Sequence, residues 1–435
     1  MKAPGNEGPG MDVVPRLMLA GFEAPAPNQG RPRIKASPEA RSLSIQMEHV
    51  DRKADEINGW LLREGRFAET IGTLLASLAQ RYTEAGVPLV RATTHIRTLH
   101  PEFRGVMHLW RRGEMLEEIT PRHGIENTPS YKKSPVEWVT RSGEWLDRRI
   151  DAAATREIPM LGDLATQGFT HYLMVPMPFS SGIMNAMSLA TDAPEGFRTH
   201  HIALFRATVK TLLLVLETKA TRRTMSELLT TYVGLDPGAR IIAGAVQRGD
   251  LQSIRAAIML TDMRGFTTLS DEAPAPEVLD ALNTYFDCVV PSVSAAGGEV
   301  LKFIGDGVLS VFPADAFPPH DAARLACAAA FEAGQAALTN LAAARPFATG
   351  PLRMGVALHW GEVAYGNVGS GHRLDFTAIG RDVNLVSRLE KLCGPLDRPL
   401  LMTEEFAGYL DAPVFEIGHF EFKGFRRHRA VFGLL

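Results

Sequence analysis

Between residues 255 and 368 the chain alternates two hydrophobic periods, and the order of that alternation limits its fold more than any other feature. Residues 255–260 read as a strand, 276–295 as a helix, and 299–304 with 308–312 as a hairpin around Gly305-Asp306-Gly307. An alanine-rich stretch, 320–344, favours helix, and 352–358 with 362–368 returns to strand. The order βαββαβ predicts an α+β domain of ferredoxin-like plan over residues 251–435, with two helices on one face of an antiparallel sheet.

At 435 residues the chain exceeds one compact core, so further domains are expected. Residues 1–44 hold many glycines and seven prolines before position 40, with no hydrophobic period, and read as a disordered leader. Phe67, Ile71, Leu74, Leu75, Leu78 and Tyr82 mark one helix face, and strand patterns at 89–99, 106–110, 171–178 and 183–191 complete an α/β domain over 45–220. Ile202, Phe205, Val209, Leu212 and Leu216 step by three and four, the seam of a helix expected to pair with its copy in a second chain. Residues 221–250 complete that helix and form a connector, punctuated by Gly234, Pro237 and Gly238.

A net charge of -3 argues against a broad nucleic-acid face, and the three scattered cysteines fit reduced thiols in a cytoplasmic protein. No apolar run approaches the roughly 20 residues of a membrane span.

Two acids close strands of the last domain: Asp262 after Ile258-Met259-Leu260-Thr261, and Asp306 in its glycine turn. Each alone reads as a solvated strand end or a turn former. Brought to one sheet edge, the pair would need a cation between them, as Mg²⁺ on substrate phosphates provides. Arg264-Gly265-Phe266-Thr267 follows at once, a turn whose N–H groups and hydroxyl suit a phosphate. Asn384 and Arg388 stand four apart, on one face if the segment is helical.

The runs Thr261-Asp262-Met263-Arg264-Gly265-Phe266-Thr267 and Lys302-Phe303-Ile304-Gly305-Asp306-Gly307 resemble the two metal motifs of class III nucleotidyl cyclases. The segment from Asp375 through Gly380 and Asn384 to Arg388 is similar to that family's substrate motif. The resemblance implies an adenylate cyclase acting on ATP. Asp262, Asp306 and the Met263 carbonyl would ligate two Mg²⁺ or Mn²⁺ ions per site. It also implies Lys302 and Thr377 as the base-reading pair of one adenylate-cyclase subgroup, Asn384 as ribose orienter and Arg388 as stabiliser of the α-phosphoryl charge. Many relatives hold terminal phosphates with an arginine where this chain has Gly355, which leaves Arg353 or Lys423 as the candidate substitute.

In this family the site forms between two catalytic domains, so a homodimer with two equivalent sites is implied. The helix–strand–strand pattern of residues 45–220 resembles a GAF-like regulatory domain that would answer an unknown small molecule or protein. Guanylate cyclase, disfavoured by Lys302, and a catalytically silent nucleotide-binding module are the rival readings.

Overall fold

The computed structural model describes residues 38–347, 350–370 and 373–434. The leader expected over 1–44 lies mostly outside them, and its last residues belong to α1 (Pro38–Arg63), which begins earlier than the sequence boundary allowed. Its buried stripe, Val50, Ala54, Ile57, Trp60 and Leu61, was legible as steps of three and four and passed unread. The next helix, α2, spans Ile71–Glu84 and is capped by Thr70, whose side chain accepts from Thr73 N. Phe67 falls outside it and is 71% exposed, which corrects its place on the helix face.

A six-stranded sheet follows, built from β1 (Arg91–Arg97), β2 (Gly105–Arg111), β3 (Glu117–Ile119), β4 (Leu146–Arg149), β5 (His171–Pro178) and β6 (Met184–Thr191). Its order is β3-β2-β1-β6-β5-β4 and every pairing is antiparallel. The α/β label therefore gives way to α+β: these neighbouring strands are not joined by the crossovers that parallel pairing demands. One face packs on α1, α2 and the 35-residue α7 (Thr199–Val233). The other carries the short helices α3 (Pro129–Lys132), α4 (Pro135–Ser142), α5 (Ala152–Glu157) and α6 (Met160–Thr166).

The apolar seam of α7 is spent inside its own chain. Phe205, Leu212 and Leu216 are buried in the core that α1 and α2 complete, and Tyr82 Oη lies 2.6 Å from Thr208 Oγ1. The expectation that this seam pairs with a second copy is overturned because α1 already covers it. Gly234 ends α7, while Pro237 and Gly238 sit inside the next helix, α8 (Leu235–Ile242), rather than in an open connector.

The last domain runs β7 (Leu251–Met263), α9 (Phe266–Glu272), α10 (Ala275–Ala295), β8 (Glu299–Ile304), β9 (Gly307–Pro313), α11 (Ala322–Ala343), β10 (Met354–Ser370), β11 (Arg373–Ile379) and α12 (Arg381–Glu390). Then come β12 (Leu400–Thr403), α13 (Glu404–Ala407), β13 (Phe415–Phe420) and β14 (Arg429–Gly433). The sheet order is β13-β14-β12-β10-β7-β9-β8, with β11 paired to the far half of β10. Its centre, β10-β7-β9-β8, is the 4-1-3-2 order of a βαββαβ unit. The two strands read at 352–358 and 362–368 are one, since β10 pairs with β7 continuously from Met354↔Met263 to Gly366↔Leu251.

Alternation along β7 divides the domain into two layers. Ala257, Met259 and Met263 face α10 and α11, whereas Ala256, Ile258 and Leu260 face Leu385, Val386 and Leu389 of α12. Among the described residues no helix is long and apolar enough to cross a membrane.

Candidate active site

Asp262 lies at the end of β7 on the α12 side of the sheet. Its predecessor Thr261 points the other way, its hydroxyl 2.6 Å from Tyr285 Oη of α10 inside the core, which fixes the strand end beneath Asp262. Across the sheet, Thr261 pairs with Val308 of β9 and Asp262 with Gly355 of β10. The β8–β9 turn needs Gly305 at φ +65 and brings Asp306 over the end of β7. Gly307 keeps the approach open, since a Cβ there would stand 3.3 Å from Asp262 Oδ1.

The two carboxyl groups consequently come within interacting distance of each other. Burial, then the charge of Asp306, then that of Glu390 push the Asp262 pKa up to about 7. Two acids forced together at a partly wet sheet edge hold a proton where a divalent cation would serve better, so the donor set fits such an ion. Among the described residues no group of three or more His, Cys, Asp or Glu is arranged around one metal position. The fit therefore rests on the aspartate pair and backbone oxygen.

Glu390, which sequence reasoning missed, is the third negative group of this corner. It ends α12, is buried, and its carboxyl is raised chiefly by burial, with Arg264 opposing. A Cβ on Gly355 would come within 2.7 Å of Glu390 Oε1 and 2.9 Å of Cys393 Cβ. The place where relatives carry an arginine is thus filled from α12, and a side chain at 355 has no room. Arg264 ties the same corner together, donating through Nη2 to the carbonyl of Cys393 at 2.7 Å and to that of Arg398.

The remaining candidates form two other groups. Lys302 on β8 pairs with Asp375 on β11. Thr377, two residues on, stands opposite Gly366 of β10, and Phe303, Ile304, Leu374 and Ile379 expose apolar surface on the same two strands. On α12, Asn384 is exposed, while Arg388 donates to the carbonyl of Lys423 and lies 5.8 Å from the Phe425 ring centre. Arg353 is exposed beside the aspartate corner, its carbonyl accepting from Arg264 N at 2.8 Å. Gly265, at φ +76, caps α9, and Phe266 and Thr267 open its first turn. No hydrogen bond or ion pair among the described residues joins the aspartate pair to Lys302, Thr377, Asn384 or Arg388.

With that geometry in view, residues 251–431 match the family described as the adenylate and guanylate cyclase catalytic domain. By that match the C-terminal segment resembles a class III cyclase catalytic domain. It is 31% identical over 161 residues to the terminal-differentiation-specific adenylate cyclase of Dictyostelium discoideum, covering 37% of this chain and 7% of that protein. It is also 31% identical over 174 residues to the adenylate cyclase of Anabaena cylindrica, covering 39% of this chain and 33% of the relative. The chain thus spans a third or less of the length of these relatives. Among solved structures it is similar to the adenylyl cyclase CyaB from P. aeruginosa, at 28% identity and TM-score 0.36 over 42% of this chain and 94% of that one.

Within the cyclase domain a buried histidine sets the start of α12. His359 of β10 has Nδ1 2.8 Å from Thr403 Oγ1 and Nε2 3.7 Å from Asp382 Oδ1, and Asp382 Oδ2 accepts from Glu362 N at 2.8 Å. The neighbouring His359 ring is the largest influence holding the Asp382 carboxyl below its usual range. Asp382 thereby anchors the helix that presents Asn384 and Arg388. His108 is buried against Thr94, the part-buried His95 lies 2.9 Å from Thr93 Oγ1, and His100 accepts from the backbone of its own turn.

Proposed function

We propose that the chain converts ATP to 3′,5′-cyclic AMP and pyrophosphate at sites shared by two copies of the cyclase domain, with two Mg²⁺ or Mn²⁺ ions per site. The observation that carries this reading is the Asp262–Asp306 carboxyl pair at the end of β7. Asp262, Asp306 and the Met263 carbonyl would hold the divalent ions, which when bound would supply a lowered pKa for the ribose 3′-hydroxyl and positive charge beside the leaving pyrophosphate.

The chain's own side chains do the rest by position and charge. Lys302 donates to a ring nitrogen of adenine, and Thr377 reads the base beside it. Asn384 orients the ribose and Arg388 meets the charge growing on the α-phosphoryl oxygens. The α9 turn, Gly265 to Thr267, offers N–H groups left over at a helix start, and Arg353 or Lys423 holds the terminal phosphates. Because the aspartate pair bonds to none of the base-reading or ribose groups in one chain, a homodimer in which each copy supplies one set is the economical arrangement. The apolar surface of Phe303, Ile304, Leu374 and Ile379 beside Lys302 supports such a contact.

The N-terminal domain is read as GAF-like and regulatory. Its support is mechanical continuity: Arg223 of α7 bonds Glu118 at 2.9 Å and Glu227 bonds Thr98 at 2.7 Å, while just beyond α7 the Asp236 N donates to Glu299 at 2.7 Å. Glu299 begins the strand that bears Lys302. Loss of residues 1–200 with no change in rate or dimerisation would remove this part.

The direct assay offers purified protein ATP or GTP with Mg²⁺ or Mn²⁺ and identifies the product. Cyclic AMP from ATP is expected, and preferential cyclic GMP formation would reassign the substrate. For the shared site, Asp306→Ala and Arg388→Ala chains are each expected to be inactive alone and to regain activity when mixed. Continued silence of the mixture would contradict it.

A further inference from the structure

A second site lies far from the cyclase chemistry, in a cavity of about 870 Å³ between the N-terminal sheet and α3, α4 and α6. That volume falls in the range that holds small organic ligands. Val106, Val136, Met184 and Ala186 give it apolar walls, and the charges on it are one-sided: Arg91, Arg97, Arg104 and Lys133 against the single acid Asp163.

Arg91 is the unusual member. Its Nε is buried and bonded to no acceptor among the described residues, and Nη1 makes a long 3.4 Å approach to Ser188 Oγ. Glu117, the nearest opposing charge, is already bonded to Arg111 at 2.9 Å. Nδ2 of Asn185, another lining residue, is likewise a buried donor without an acceptor, its Oδ1 being taken by Arg97 N at 2.8 Å. His95 on the same wall is kept neutral by burial, so it adds no charge. Arg104 is satisfied by Glu126 at 3.0 Å and leaves Arg91 as the inner cation. A guanidinium on the wall of a largely apolar cavity, with the opposing acid already paired elsewhere, is a charge that an anionic ligand would satisfy.

We propose that this cavity binds a small organic carboxylate with an apolar or aromatic body, its carboxylate on the Arg91 guanidinium. A guanidinium presents that fork to a planar carboxylate better than to any neutral group. The inference does not depend on the cyclase reading.

The test uses the full chain and two fluorescent probes, anionic 8-anilinonaphthalene-1-sulfonate and uncharged N-phenyl-1-naphthylamine. Arg91→Met should weaken the anionic probe by about 10- to 100-fold, the scale of a hydrogen bond to a charged group, and leave the neutral one nearly unchanged. Arg91→Lys should recover part of the loss, and Met184→Trp, which fills the cavity, should weaken both. Independently of any variant, benzoate should displace the anionic probe from the unmodified chain about 10-fold better than benzamide does. Unchanged anion affinity in a folded Arg91→Met chain, unchanged binding in Met184→Trp, or equal displacement by benzoate and benzamide would each overturn the proposal.

Discussion

Replacing Asp262 by asparagine should stabilise the metal-free protein above neutral pH while abolishing cyclase activity. In the folded chain the Asp262 carboxyl titrates near pH 7, against about 3.9 in an unfolded one. The native state thus holds a proton that the unfolded state has lost across that interval, and stability falls as pH rises from about 4 to about 7. A shift of roughly three units at 1.36 kcal/mol each gives about 4 kcal/mol, and solvent screening of this half-wet carboxyl reduces the cost to about 1–2 kcal/mol. For a domain of this size that corresponds to about 2–8 °C in Tm. Asparagine keeps the shape without the second charge. Thermal unfolding of both chains in EDTA at pH 4, 6 and 8 checks the reasoning: the gap should be near zero at pH 4 and full at pH 8. Mn²⁺ should then raise the unmodified chain at pH 8 and barely move Asp262→Asn. A gap that is absent at pH 8, or present equally at pH 4, would refute the carboxyl pair as the source of the perturbed titration.

Other outcomes follow from neighbouring contacts. Tyr285→Phe leaves the buried Thr261 hydroxyl without its partner and should cost about 1–3 kcal/mol, whereas adding Thr261→Val should restore much of that, a coupling readable in a double-mutant denaturation cycle. Gly355→Ala forces a Cβ against Glu390 and Cys393 and should destabilise by roughly 1–3 kcal/mol, with Glu390→Ala relieving part of it, so a neutral Gly355→Ala would deny that Glu390 fills this place. Asp382 contributes stability above the ordinary aspartate range and loses it as pH falls below about 4, so the penalty of Asp382→Asn should shrink in acid melts. Asp375→Asn frees the Lys302 ammonium from its in-chain partner and should change KM for ATP more than kcat, and an equal loss of both would mean that the pair serves folding instead.

Local pattern carried much of the architecture. The run from β7 to β10 was legible because strand and helix periods write their own positions, and the glycines of the β8–β9 turn mark where the chain must reverse. The same pattern put Asp262 at a strand end and Asp306 in a turn. Register across three strands then brought two distant letters together as one carboxyl pair.

What the sequence could not express is which surface covers which. The seam of α7 has the same spacing whether a second copy or α1 lies on it, and only packing of the N-terminal core gave it to α1. Nothing local marks Glu390, and only the docking of α12 on the sheet sets its carboxyl above Gly355, 35 positions earlier in the chain. Nothing local marks Arg91 either, and only the closing of the sheet around it leaves its Nε without an acceptor among the described residues. By itself the sequence determined periods, turns and the kinds of chemistry available, since these depend on neighbours a few residues apart. Which charges meet, which apolar faces are already spent and which donors stay unpaired depend on contacts between distant segments, and those the tertiary structure decided.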